Sequence, residues 1–149
     1  MSDYLTLVGA LAIHDDQIER YGGLSGVRDH GILEAALYRP QTGYYADLIE
    51  EATALWESLA QNHPFIDGNK RTAFAATYTF LAINGTHITA DAESAYAFIT
   101  GLYKANDFTF ENLLAWLREN VAPTTTGAAT TTLSRKPSQD SAQTSMRSK

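Results

Sequence analysis

Along the first 121 positions, hydrophobic residues return at intervals of three and four, the spacing that lines one face of an α-helix, in six separate runs. The first covers residues 5–19 and ends near Gly22-Gly23; a short second, with Asp29 placed to cap it, covers 32–37 and stops before Pro40. The third, 46–61, aligns Leu48, Ala52, Leu55, Trp56 and Leu59. The fourth aligns Ala73, Phe74, Thr77, Phe80 and Leu81 and ends near Asn84-Gly85. The fifth, 92–104, aligns Ala92, Ala95, Tyr96 and Ile99, and the sixth follows Thr109 with Phe110, Leu113, Leu114 and Leu117. Strand patterns are nearly absent. Six apolar faces need partners, and the simplest arrangement is an all-α bundle with the third and fourth helices at its centre.

The pattern stops at Val121. Residues 122–149 are rich in Thr, Ser and Ala, contain no aromatic residue, and are expected to form a disordered tail after a single domain at 1–121. The charge divides at the same place: the body carries seven Lys and Arg against sixteen Asp and Glu, a net −9, and the tail four against one, a net +3. An acidic body disfavours direct nucleic-acid binding, which needs a basic face. The absence of cysteine excludes disulfides and Cys-based zinc sites and agrees with a reducing cytoplasm. Residues 1–4 lack the basic start of a signal peptide, and the apolar run 5–13 is far short of the roughly 20 residues that span a bilayer. No membrane association is expected.

Chemistry concentrates in HPFIDGNKRT, His63 to Thr72, between the third and fourth helices. Asp67, Gly68 and Asn69 are turn and cap residues, so they should stand at a helix N-terminus, where unpaired N–H groups and the macrodipole favour an anion. Gly68 lets a ligand approach the backbone closely. Arg71 carries a planar fork suited to phosphoryl oxygens, and Lys70 points elsewhere around the helix as a mobile point charge. Asp67 is a hard oxygen ligand for Mg²⁺, which typically binds one or two carboxylates with phosphates and water, so ATP with Mg²⁺ fits. Pro64 disfavours helix through His63, whose imidazole should project into the loop mouth as a general base. Phe65 should plug the core. His14, Asp15 and Asp16 read as the polar end of the first helix.

From His63 to Arg71 the run resembles, at every fixed position, the Fic/Doc superfamily signature His-x-Phe-x-(Asp or Glu)-(Gly or Ala)-Asn-(Gly or Lys)-Arg. The stretch YGGLSGVRDHGILEAALYRP, Tyr21 to Pro40, is similar to the amino-terminal part of the death-on-curing (Doc) toxins, and the likeness covers about residues 5–121. The resemblance implies a Fic/Doc-type helical bundle with the active loop between two central helices. It implies His63 as general base, Asp67 as metal ligand, Gly68 and Asn69 as anion-binding backbone and side chain, and Arg71 as phosphate clamp. Lys70 resembles the Doc branch, in which ATP binds reversed and gives up its γ-phosphoryl: a Lys fills the room that a Gly would leave for the distal phosphates. Gly68 is shared with the AMP-transferring branch, so transfer of AMP or another nucleotide portion is the alternative, and a catalytically idle binding module a second.

The resemblance further implies a cytoplasmic toxin whose target is a threonine hydroxyl of translation elongation factor Tu, with arrest of translation. The loop 41–45 corresponds to the family's flap, which aligns a target segment by backbone pairing. The inhibitory pattern Ser/Thr-x-x-x-Glu-Gly/Asn has no match, because Asp107 and Ala115 stand where Ser or Thr is required before Glu111-Asn112 and Glu119-Asn120. Restraint is therefore expected from a separate antitoxin, folding as a helix across the active-site groove.

Overall fold

A computed structural model describes residues 2–124. Helix α1 spans Leu7–Tyr21, α2 His30–Tyr38, α3 Leu48–Gln61, α4 Asn69–Ile83, α5 Ala92–Ala105 and α6 Phe110–Glu119. A single 3-10 turn, Arg39–Gln41, follows α2 where Pro40 interrupts the helical hydrogen bonding. The six expected helices are present, and the architecture is mostly helical, as a Fic/Doc-type bundle requires.

Local chemistry sets the helix starts. Thr6, Asp29, Asp47, Asp91 and Thr109 each accept, through the side chain, the N–H of the residue three positions on. Helix α3 therefore begins at Leu48, two residues later than the apolar spacing suggests, because Asp47 is its cap. At the other end of α5, Asn106 takes a left-handed conformation and turns the chain into α6.

The core is built around α3, which packs against α4 along its length and against α6 and α2 on its flanks, while α1 lies across α4. Trp56 is the hub. Its ring meets Phe74 of α4 at 5.4 Å, Phe98 of α5 at 6.4 Å, Phe108 at 6.2 Å and Trp116 of α6 at 5.8 Å, and thereby joins four elements in one aromatic cluster. Leu33, Leu55, Leu59, Phe80, Leu81, Leu113 and Leu117 complete a continuous apolar interior. The central position of α3 and α4 places the segment joining them at the mouth of the bundle.

Two short strands depart from the sequence expectation. β1 (Thr86–Ile88) pairs antiparallel with β2 (Val121–Pro123), His87 facing Ala122, and Thr124 N–H continues the pairing to Gly85 C=O. Ala122 and Pro123, expected to open the tail, instead close the domain by tying the chain beyond α6 to the end of α4. Strands of three residues show no alternation for a pattern to reveal. The tail's expected disorder concerns residues that, from 125 onward, lie outside the described ones.

Candidate active site

The signature run forms the α3–α4 connection. After the C-cap residue Asn62, His63 adopts φ +51°, a left-handed conformation rare for a side chain with a Cβ, and its imidazole is exposed on the cleft wall. Alongside runs the segment 26–29, bridged as a fragment of antiparallel sheet at Val27 and Phe65. Gly26 C=O accepts from Ile66 N–H, and Pro64 C=O accepts from the N–H groups of Arg28 and Asp29. Phe65 is fully buried, as expected of a core plug.

Asp67 stands just before α4. One carboxylate oxygen accepts from Gly68 N–H at 2.8 Å and the other from Leu24 N–H at 3.1 Å. These backbone bonds, helped by the charges of Arg71 and His14 and opposed by partial desolvation, hold the carboxyl below its ordinary pKa. Gly68 is left-handed, at φ +74°, and no side chain caps α4. The first turn of α4 therefore presents main-chain donors beside an ionised carboxylate. A Cβ at Gly68 would lie 3.1 Å from Ile18 Cδ1 and 3.2 Å from an Arg71 guanidinium nitrogen, so the turn is both left-handed and tightly enclosed.

Asn69 ties the loop together. Its Oδ1 accepts from Phe65 N–H at 2.9 Å and its Nδ2 donates to Phe65 C=O at 3.0 Å, a two-bond clasp that closes the loop on itself. The amide is thus engaged inside the loop through Oδ1 and one of its two N–H groups. Lys70 is not a free point charge either: its ammonium lies 4.2 Å above the Tyr103 ring of α5. Arg71 turns to the opposite side, donating to Gly22 C=O at 3.0 Å and Gln17 C=O at 3.4 Å, with its guanidinium 5.6 Å from the Tyr21 ring.

The largest correction concerns His14. It is not part of a polar helix end but is 1% exposed, stacked face to face on Phe65 at 3.9 Å and 4°, with Nε2 2.8 Å from Asp67 C=O. A carbonyl only accepts, so Nε2 carries the proton. The signal was available in the spacing: Ala10, His14 and Gln17 are the buried residues of α1, one stripe at intervals of four and three.

His63, Asp67, Gly68, Asn69, Lys70 and Arg71 all line one cleft of about 1130 Å³, walled by α1, α4 and α5. Beyond the loop its lining becomes apolar and aromatic, with Phe74, Tyr78, Tyr96 and Ile99. Tyr103 on the same wall has a hydroxyl buried without a partner, and desolvation pushes its pKa up to about 12. Among the described residues no group of three or more His, Cys, Asp or Glu is placed to hold a metal ion. Each Asp67 oxygen keeps a lone pair beyond its one N–H bond, which fits a cation whose remaining ligands are phosphate oxygens and water.

The segment 41–45 is anchored at one end. Tyr45 Oη accepts from Arg39 Nε at 2.6 Å, and the ring packs on Phe110, while Gly43 is left-handed and Tyr44 is 84% exposed. Among the described residues no helix is long and apolar enough to cross a membrane.

The sequence model of the Fic/DOC family matches residues 4–81, which run from just before α1 to near the end of α4. Over 76 residues the chain is 51% identical to "Toxin Doc" of Mycolicibacterium smegmatis, a match covering 48% of this chain and 58% of that protein. Over 89 residues it is 38% identical to "Protein kinase doc" of Escherichia phage P1, covering 57% of this chain and 71% of that one. The match thus spans less than two thirds of the mycobacterial relative. With the family's segment coinciding with the loop and the elements that hold it, the chain belongs to the Fic/DOC family.

Proposed function

We propose that the protein is a Doc-type kinase, a toxin that transfers the γ-phosphoryl of ATP to a hydroxyl of a target protein. The observation that carries the reading is Lys70, whose side chain reaches across the cleft to Tyr103. A chain of that length lies where a Gly would leave room for two further phosphates, and this favours the nucleotide entering with its γ-phosphate at the α4 N-terminus. The phage relative's name, which includes "protein kinase", agrees.

In this mechanism the α4 N-terminal N–H groups hold the phosphoryl oxygens, and Arg71 exchanges its two carbonyl contacts for a charge-assisted pair with phosphate. His63 accepts the proton of the attacking hydroxyl. Asp67 would hold Mg²⁺, which when bound neutralises charge on the phosphates. In-line transfer needs mainly such positioning and neutralisation, with a general base adding about 10²- to 10⁴-fold. The target reading is a threonine of translation elongation factor Tu, presented by the flap and leading to arrested translation in the cytoplasm.

An antitoxin is the proposed partner. The cleft exceeds the roughly 300–1,000 Å³ of ordinary small-ligand sites, and its apolar wall suits the face of an added helix. Purified protein and its His63→Ala variant, incubated with elongation factor Tu, Mg²⁺ and ATP labelled at the α- or γ-phosphate, test the reaction. Transfer from the γ-position alone, lost in the variant, is the expected result. Label from the α-position would mean AMP transfer instead, and no label from either would refute transfer to this target.

A further inference from the structure

His63 owes its left-handed backbone to more than its own preference. A side chain with a Cβ is disfavoured in that region, and such a conformation persists only where the surroundings over-determine it. The surrounding restraint has an identifiable centre. Arg28 Nε donates to His63 C=O at 2.6 Å, and its Nη2 donates to Asn62 C=O at 2.9 Å. Those two carbonyls belong to the peptide planes on either side of the His63 α-carbon. Holding both planes fixes φ and ψ at His63, and with them the direction of its Cα–Cβ bond. The guanidinium also sits at the C-terminal end of α3, where a cation is favoured by the helix dipole.

The Arg28 main chain is itself anchored, through its N–H to Pro64 C=O at 2.7 Å and the neighbouring Val27–Phe65 bridge, so the fork is delivered from a rigid segment. We propose that Arg28 is the positioning residue of the candidate base, setting the root of the His63 imidazole without touching substrate. The inference rests on the kinase reading only for its kinetic consequence.

The test uses Arg28→Ala and Arg28→Lys in the full chain, each alone and combined with His63→Ala. In the histidine background Arg28→Ala should lower the turnover number about 10- to 100-fold, a fraction of what a general base supplies, with the KM for ATP little changed. Arg28→Lys, able to reach one carbonyl at a time, should fall between. In the His63→Ala background the same changes should have no further effect; equal losses in both backgrounds would overturn the proposal. A second readout needs no catalysis: the imidazole C–H resonance of His63 should move in Arg28→Ala while those of His14, His30 and His87 stay in place. An unmoved His63 resonance, or a general collapse of all four in both Arg28 variants, would refute the positioning role. A protein that transfers no phosphoryl sinks the kinase reading, and the resonance then decides this one.

Discussion

Replacing His14 by alanine is the most direct probe of how the loop is held, because the side chain touches no solvent and joins α1 to the motif through two distinct contacts. Truncating a buried ring of this size typically costs about 2–4 kcal/mol in lost packing and residual cavity. The hydrogen bond to Asp67 C=O adds about 1 kcal/mol, and the parallel stack on Phe65 is partly counted in the packing figure already. A loss of about 3 kcal/mol lowers the melting temperature of a domain this size by roughly 10 °C. His14→Gln, which keeps a donor but no ring, should lose about half as much. Circular dichroism melts supply the stability, and calorimetric titration with ATP and Mg²⁺ the binding: the weakened turn at Asp67 should bind more weakly at a temperature where the variant is fully folded. If His14→Ala melted within about 2 °C of the parent, the loop would not depend on α1 and the bracing argument would fail.

Asn69→Ala removes both bonds of the clasp on Phe65 and should cost about 2 kcal/mol in denaturant unfolding, whereas Asn69→Asp keeps one acceptor and should lose less; equal losses would count against the clasp. The Tyr103 hydroxyl, held neutral up to about pH 12, contributes stability that is complete below its ordinary value of 10 and is lost as pH rises from there toward 12. Tyr103→Phe should flatten alkaline unfolding over that interval and remove the late step of a spectroscopic tyrosine titration. Asp67, with its pKa lowered by the Leu24 and Gly68 N–H groups, contributes stability present above its unfolded value of 3.8 and lost as pH falls through the depressed value. Asp67→Asn should therefore show a shallower acid limb in the same unfolding series. A chain ending at Val121 should melt below one ending at Thr124, because the shorter one loses two of the three β2 residues.

What the sequence made legible was local. The cap at Asp29, the stop before Pro40, the start of α6 after Thr109 and the apolar stripes of α3 and α6 are decided within one or two helical turns, and the structure follows them. The position of the motif at the start of α4 is legible for the same reason. The rest depends on partners distant in the chain. His14 looked polar beside Asp15 and Asp16; the stripe it shares with Ala10 and Gln17 marks its inward face, but its partner, the loop 53 residues later, is long-range. The turn of Arg71 toward Gln17 and Gly22, the placement of Lys70 over Tyr103 and the β1–β2 pairing are likewise long-range. Asn69 shows a subtler limit: its type suits both an anion and a loop clasp, and the clasp becomes visible only in the backbone conformation of residues 65–69.

These long-range contacts divide the site into a rigid part and an adjustable one. His63 is held through Arg28, Phe65 through Asn69 and His14, and Asp67 through His14 and Leu24, so each motif residue that must keep its geometry is fixed by a partner within residues 4–81. Under the proposed kinase reading, catalysis by positioning requires that the reacting groups be arranged before substrate arrives, and such bracing would supply it. The opposite wall, with Tyr96, Ile99 and Tyr103 on α5, lies outside the matched segment and meets the motif through the Lys70 ammonium over the Tyr103 ring. Changes on that wall can alter what the cleft accepts without disturbing the loop's backbone, whereas changes at His14 or Arg28 act on the loop itself. Variants on α5 should therefore shift binding and spare the loop's stability, whereas His14→Ala should weaken both binding and stability.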